Sequence, residues 1–229
     1  PTQWKDTDGD GYGDNWDDTR WNLTHEFSEL GFWIEGAYMQ DACPAREGYS
    51  TGDRPGCPDI DGDSWSDPDG NWTITDGADA FPNDSSQWRD SDSDGYGDNY
   101  TWTLDENGFR VENGDAFPLN PSQWSDSDGD GWGDNQVGSA TQVDAFPLEP
   151  SQWSDIDEDG YGDNQSGFQA DACPTDWGLS IYDRYGCLDS DGDGYSDPEP
   201  QVGWAAHPIG FADAFPYEGS QWFDTDGDG

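Results

Sequence analysis

Basic residues are scarce in this chain. It holds seven Lys and Arg against 52 Asp and Glu, a formal net charge of -45 over 229 residues. Such a polyanion repels nucleic acid, which removes DNA and RNA from the expected partners. Histidine occurs only as His25 and His207, lysine only as Lys5, and no nucleophile motif accompanies them. Without a distinctive acid–base pair or nucleophile, the chain is not expected to be an enzyme. Leu, Ile, Val and Phe total 27 residues, about 12%. A low apolar content beside a large net charge marks a chain that cannot fold by burial alone. No apolar run is long enough to span a membrane, so no membrane insertion is expected, and no signal peptide or lipidation motif occurs. Cysteine is limited to four residues, with no CxxC and no nearby paired His, which argues against zinc.

What the chain does have is order in its acids. Asp-x-Asp-x-Asp returns seven times, and six copies continue through a Gly or Ser and an aromatic to a fourth Asp. The loops are Asp6, Asp8, Asp10 and Asp14; Asp59, Asp61, Asp63 and Asp67; Asp90, Asp92, Asp94 and Asp98. They continue as Asp126, Asp128, Asp130 and Asp134; Asp155, Asp157, Asp159 and Asp163; Asp189, Asp191, Asp193 and Asp197. A seventh, over 224–229, has Asp224, Asp226 and Asp228. Carboxylates at positions 1, 3, 5 and 9 with a turn-forming residue at 6 are the spacing of a calcium loop, since a hard cation takes oxygen ligands. Six complete loops imply at least six Ca²⁺ ions. Position 12 carries no acid. Instead each complete loop is followed by Asp-Ala-(Phe/Cys)-Pro, at Asp41, Asp79, Asp115, Asp144, Asp171 and Asp213. These Asp are read as closing ligands set back by a spacer of variable length; the alternative is that each only starts the turn that Pro fixes.

The linked pattern, Asp-x-Asp-x-Asp-Gly-x-x-Asp followed by Asp-x-Cys-Pro and a Gln before the next loop, resembles the thrombospondin type 3 repeat across essentially the whole chain. The resemblance implies an irregular, calcium-stabilised repeat array with little regular secondary structure. It also implies ligand roles for the Asp residues above and for the main-chain carbonyls of Tyr12, Trp65, Tyr96, Trp132, Tyr161 and Tyr195. The chain departs from that family in its insertions, in aromatics at most Cys positions, and in Ser64 at a loop Gly. Residues 1–229 read as one continuous tandem array, and both ends fall inside a repeat, as in an excerpt of a longer chain. Amphipathic helices flanking the loops are missing, which argues against paired EF-hands, and the nonapeptide of calcium β-rolls is absent.

Cys43 and Cys57 lie 14 apart, as do Cys173 and Cys187, which predicts two local disulfides and an oxidising, extracellular or cell-surface setting. Elsewhere the same slots hold Phe81 and Trp88, Phe117 and Trp124, Phe146 and Trp153, Phe215 and Trp222, expected to touch as aromatic clasps. The Cys pairs recur with a shift of 130 residues, a super-repeat of four loops. Sequons at Asn22, Asn71, Asn83, Asn99 and Asn164 offer possible glycan sites of a glycoprotein. Alternation from Tyr100 to Leu104 and from Phe109 to Glu112, around Asp-Glu-Asn-Gly, predicts a β-hairpin; the insertion from Trp21 to Tyr38 suggests a hairpin or a helical turn. The function expected from all this is an elongated calcium-binding structural rod, stalk or fibre segment, with calcium, neighbouring copies in a fibre or other cell-surface components as the expected partners. The competing expectation is a cell-adhesion module that binds glycan or protein through Trp21, Trp33, Trp72, Trp102, Trp177 and Trp204.

Overall fold

A computed structural model describes residues 1–17, 19 and 30–228. Trp21, Asn22, His25 and Gly229, and with them most of the first insertion, lie outside the described residues. The chain forms two compact units, Pro1–Trp124 and Ser125–Gly229, with three complete Asp loops in each. Among the described residues there is no α-helix. Regular structure is confined to one hairpin, β1 (Thr101–Leu104) and β2 (Arg110–Asn113), and two short 3-10 turns, Ile74–Asp76 and Pro200–Val202. The hairpin matches its sequence expectation, pairing Trp102 with Glu112 and Thr103 with Val111. Its turn is organised by Asp105, whose carboxylate accepts the N–H groups of Asn107 and Phe109 at 2.8 Å each.

The interior is inverted relative to an ordinary domain. Among the described residues the buried apolar side chains are small: Ala42, Cys43, Pro44, Cys57 and Ala78 in the first unit, and Cys173, Cys187 and Ala212 in the second. The large, fully buried side chains are polar, among them Arg54, Gln152, Asn15 and the Asp residues set after each loop. Aliphatic side chains such as Leu119, Leu148 and Ile209 are exposed.

Each loop is shaped by its own carboxylates. Residues at positions 4 and 6 adopt left-handed backbone, as in Gly9 (φ 88°) and Gly11 (φ 98°). Ser93, Glu158 and Ser64 take the same conformation with φ of 67°, 62° and 86°. Glycine reaches this region without steric cost, which explains its frequency at these positions, while three residues are held there against their preference. The position-9 amide then bonds back to the carbonyl just before the loop, for instance Asp98 N to Arg89 O at 2.8 Å.

Between loops the chain is held by side chains that imitate strand pairing. Gln87 Nε2 donates to Asn99 O, and Asn99 N donates to Gln87 Oε1, both at 2.9 Å. Gln3 with Asn15, and Gln152 with Asn164, repeat the arrangement. A Cβ on Gly13, Gly97 or Gly162 would fall about 2.1–2.2 Å from the Gln oxygen, so glycine at position 8 belongs with Gln three residues before a loop. In the second and sixth loops both change together. Gly56 and Gly186 replace the Gln, and position 8 is Ser66 or Ser196, bonded to Asp53 or Asp183 and to a guanidinium from Arg54 or Arg184.

Both disulfides form as expected, Cys43–Cys57 and Cys173–Cys187, with no free cysteine. The aromatic clasps differ from expectation. The partner of each Trp is not the Phe of Asp-Ala-Phe-Pro but the position-7 ring of the preceding loop. Trp65 stacks on Trp88, Tyr96 on Trp124, Trp132 on Trp153 and Tyr195 on Trp222, with interplanar angles of 3–5°. The backbone explains the choice. The Ala after each closing Asp donates to the Trp carbonyl, Ala80 N to Trp88 O at 3.0 Å for example, which brings the indole over the loop already traversed. In one Cys repeat this slot is filled by Tyr185 rather than Cys187, since Tyr185 O accepts from Ala172 N and its ring meets Tyr161. The substitution Gln87→Ala is expected to lower stability by about 1–3 kcal/mol, because two backbone groups of Asn99 lose their partner. Urea unfolding of the variant beside the parent checks this; an unchanged midpoint would show that water replaces the clasp.

Candidate metal centres

Within each loop the carboxylates divide their two oxygens between backbone and an open centre. At position 1 both are engaged: Asp126 accepts Gly129 N–H at 2.7 Å and Gly131 N–H at 3.1 Å. At positions 3 and 5 one oxygen is engaged and the other is spare, except on Asp10 and Asp159, whose second oxygen also accepts an N–H. Asp130 Oδ1 accepts Trp132 N–H at 2.8 Å and Asp128 Oδ1 accepts Asp130 N–H at 3.2 Å, while the Oδ2 of each is buried with no hydrogen-bond partner. The same holds for Asp61, Asp63, Asp92, Asp94, Asp191 and Asp193, and for Asp8 and Asp157 at position 3. Ligand oxygens from Asp6, Asp8 and Asp10 lie within 4.8 Å of one another, and so do those of the triplets starting at Asp59, Asp90, Asp126 and Asp155. Such groups could hold a metal ion.

The Asp set after each spacer comes back to its own loop. One hydrogen bond does this in all six repeats, from its N–H to the position-8 carbonyl: Asp41 to Gly13, Asp79 to Ser66, Asp115 to Gly97, Asp144 to Gly133, Asp171 to Gly162 and Asp213 to Ser196, at 2.7–2.9 Å. The separation from the position-9 Asp ranges from 8 residues (Asp163 to Asp171) to 27 (Asp14 to Asp41), so spacer length does not set the geometry. All six are buried to within 1%. Each uses Oδ1 to accept the N–H two residues on, such as Phe81 N at 2.7 Å, and each leaves Oδ2 buried and unpartnered. Starting the next turn is therefore only half of what this Asp does; its other oxygen faces a loop of like charges.

A buried, unpaired acceptor costs roughly 1–3 kcal/mol, more when charged, so sixteen such carboxylate oxygens call for a cation. The titration behaviour has the same cause. Burial, and then the carboxylates at positions 3, 5 and 9, push Asp79, Asp115, Asp144, Asp171 and Asp213 up to about 6, against the opposing backbone N–H. Asp41 is pushed up to about 8. Main-chain oxygen is available as well: among the described residues nothing donates to the carbonyls of Tyr12, Trp65, Tyr96, Trp132, Tyr161 and Tyr195.

Position 9 bonds differently. Asp98 accepts Ser91 N–H at 2.8 Å and Ser91 Oγ at 2.6 Å on separate oxygens, and Asp14, Asp134 and Asp197 repeat this with Thr7, Ser127 and Ser190. In the other two loops Asp67 and Asp163 accept the N–H of Ile60 and Ile156. These carboxylates brace position 2 of the loop, a role that the four-residue hydroxyl pattern at position 2 signals in the sequence. Asp224 opens the seventh loop in the same style, accepting Gly227 N–H at 2.8 Å.

Of the sequons, Asn71 and Asn83 are exposed. Asn99 and Asn164 sit in the Gln clasps, where Nδ2 donates to Ser86 O and Ser151 O. Trp33, Trp102 and Trp177 are more than half exposed, whereas Trp72 and Trp204 lie half-buried against the Arg54 and Arg184 guanidinium groups. No helix among the described residues is long and apolar enough to cross a membrane. Compared with protein-family models, curated proteins and solved structures, the chain finds no match.

The raised carboxyl values carry a signed pH dependence. In the ion-free fold their contribution to stability is full below the ordinary 3.8 and is lost as pH rises through about 6. A cation must displace those protons. Cation uptake at pH 6 is therefore expected to release protons, and the release should shrink toward pH 8, with the Asp41 site the last to retain one. Calorimetry in buffers of different ionisation enthalpy measures this, and a buffer-independent heat at pH 6 would contradict it.

Proposed function

We propose that this chain is an extracellular calcium-binding structural repeat protein, a rigid segment of a rod, stalk or fibre akin to thrombospondin type 3 repeats. The observation that carries the reading is the return of the buried closing Asp to the position-8 carbonyl of its own loop in six repeats, each time with a buried, unpartnered oxygen. Calcium suits the donor set better than its competitors. Every donor is oxygen, with no His or thiolate in the loops, which points away from zinc and copper. A carboxylate at position 1, spare carboxylates at 3 and 5, a closing carboxylate and a main-chain carbonyl approach the 6–8 ligands that Ca²⁺ takes, more than the one or two that Mg²⁺ ordinarily draws from protein. Position-9 Asp acts through the loop or through a bound water.

Two disulfides and a dependence on calcium both fit the outside of a cell, where Asp-rich modules bind at about 10⁻⁴–10⁻³ M. The rod reading rests on the connections along each unit: five of the six position-7 rings meet the lead-in to the following loop, and among the described residues no apolar core gathers distant loops together. The exposed rings of Trp33 and Trp177 favour a second reading, adhesion to glycan or protein, which the same scaffold could serve.

Chelation is expected to unfold the chain. Excess EGTA should convert circular dichroism to that of a coil and make the protein protease-sensitive, with recovery on adding Ca²⁺ but not Mg²⁺; a protein that stays protease-resistant in chelator defeats the calcium reading. The rod is tested separately by small-angle scattering in millimolar Ca²⁺. A globule of this length has a radius of gyration of roughly 17 Å, and a rod should exceed it clearly with a skewed distance distribution, whereas the globular value would leave the adhesive reading in front.

A further inference from the structure

We infer that the six centres fall into two classes, with those of the first and fifth loops braced by a disulfide knot and slow to exchange their ion. This rests on the calcium reading above and concerns how individual sites behave. The distinguishing feature is the disulfide-closed segment that follows each of these two loops. Residues 43–57 fold into a compact knot: Ser50 N donates to Cys57 O at 3.1 Å, Gly56 N to Ser50 O at 3.1 Å, and Cys57 N to Ser50 Oγ at 3.2 Å, with Ser50 fully buried. Residues 173–187 repeat these contacts through Ser180, Gly186 and Cys187.

Each knot presents two glycines to the metal centre before it. Gly48 N donates to Asp10 Oδ2 at 3.3 Å, and Gly178 N to Asp159 Oδ2 at 3.2 Å. In the second, third, fourth and sixth loops the corresponding oxygen, on Asp63, Asp94, Asp130 and Asp193, has no partner at all. The second glycine lies against the closing carboxylate. A Cβ on Gly56 would stand 2.3 Å from Asp41 Oδ1 and 3.3 Å from Asp10 Oδ2, and one on Gly186 would stand 2.2 Å from Asp171 Oδ1 and 3.0 Å from Asp159 Oδ2. Gly48 and Gly178 could not bear a side chain either, because a Cβ would meet the carbonyl of Cys57 or Cys187 at 2.0–2.1 Å. The disulfide thus pins a glycine-lined backbone wall directly over two of the six centres.

Two consequences follow for a bound ion. The position-5 carboxylate is held by two N–H groups instead of one, so less ordering is left to binding. Outer contacts of this kind typically change metal affinity by 10–100-fold. The wall also covers the side of the centre formed by the closing and position-5 carboxylates, where a bound ion would otherwise take a water, while Asp6 at position 1 stays exposed.

The test begins with the unaltered protein loaded with Ca²⁺ and mixed rapidly with a fluorescent chelator. Two ions are expected to leave at least tenfold more slowly than the other four. In the C43S/C57S variant one ion should move from the slow to the fast phase, and in C173S/C187S likewise. Terbium luminescence lifetimes in H₂O and D₂O give a second readout that needs no variant, with fewer bound waters expected for the slow class. Six ions leaving in a single phase would overturn the inference while leaving calcium binding intact. A slow class that still holds two ions after either disulfide is removed would overturn the role of the knot. Failure to bind any ion would instead remove the calcium reading on which both depend.

Discussion

Mutual repulsion among buried carboxylates is the interaction on which the rest of this structure depends. Oxygens from positions 1, 3 and 5 lie within 4.8 Å of one another. At an effective dielectric of about 20, each pair of unit charges at that separation opposes folding by roughly 3–4 kcal/mol. Three such pairs per loop amount to about the whole stability of an ordinary domain, 5–15 kcal/mol, and the buried closing Asp adds a fourth charge. With only Ala, Cys and one Pro as buried apolar side chains among the described residues, burial cannot offset this. The fold therefore needs this charge relieved, either by protons, which burial raises the closing Asp carboxyls to hold, or by a metal ion of the kind the triplets could bind.

The second constraint is the hydrogen bond from each closing Asp to the position-8 carbonyl. It fixes where a spacer must start and finish, and leaves its length free. A hairpin can occupy the third spacer, a 3-10 turn the second, and a few bends the fifth, without disturbing the metal centre. Loop-closure entropy grows slowly with length, so long insertions cost little once both ends are anchored. This accounts for a repeat in which the chemistry is periodic and the spacing is not.

How much was legible in the sequence follows from the same distinction. The loops were, because their carboxylates sit at fixed offsets and their backbone follows from local Asp and Gly chemistry. The two Cys pairs and the β1–β2 hairpin are short-range as well, and they form as expected. The role of Asp79 or Asp171 could only be half read, since its partner lies at a distance that varies between repeats. The Phe81–Trp88 type of clasp was misplaced because equal spacing from the loop says nothing about which face an indole covers. The Ala80–Trp88 backbone bond decides that, and it turns the ring back onto Trp65. Gln87 with Asn99 went unread for another reason: a buried amide pairing with backbone leaves no hydrophobic pattern, only the coincidence that Gly occurs at position 8 wherever Gln precedes the loop.

That coincidence shows how the chain changes one part without losing the whole. Where Gly56 and Gly186 displace the Gln, the space above position 8 is refilled by Ser66 and Ser196, and the lost amide bonds are replaced by an Asp and a buried arginine. Glycine at 56 and 186 is in turn what lets the disulfide knot approach Asp41 and Asp171. The arginine could not enter without its own compensation, because a buried guanidinium needs partners. Arg54 finds Asp69 at 2.8 Å and the face of Trp72; the less buried Arg184 has the face of Trp204 and an ion pair with Glu199 at 3.5 Å, its Nη2 making no hydrogen bond. Two of the tryptophans that sequence alone marks as adhesive candidates are thus required where they are, beneath the cation that replaces the Gln clasp. Any surface for recognition in the described residues falls to the rings without such a task, Trp33 and Trp177 first.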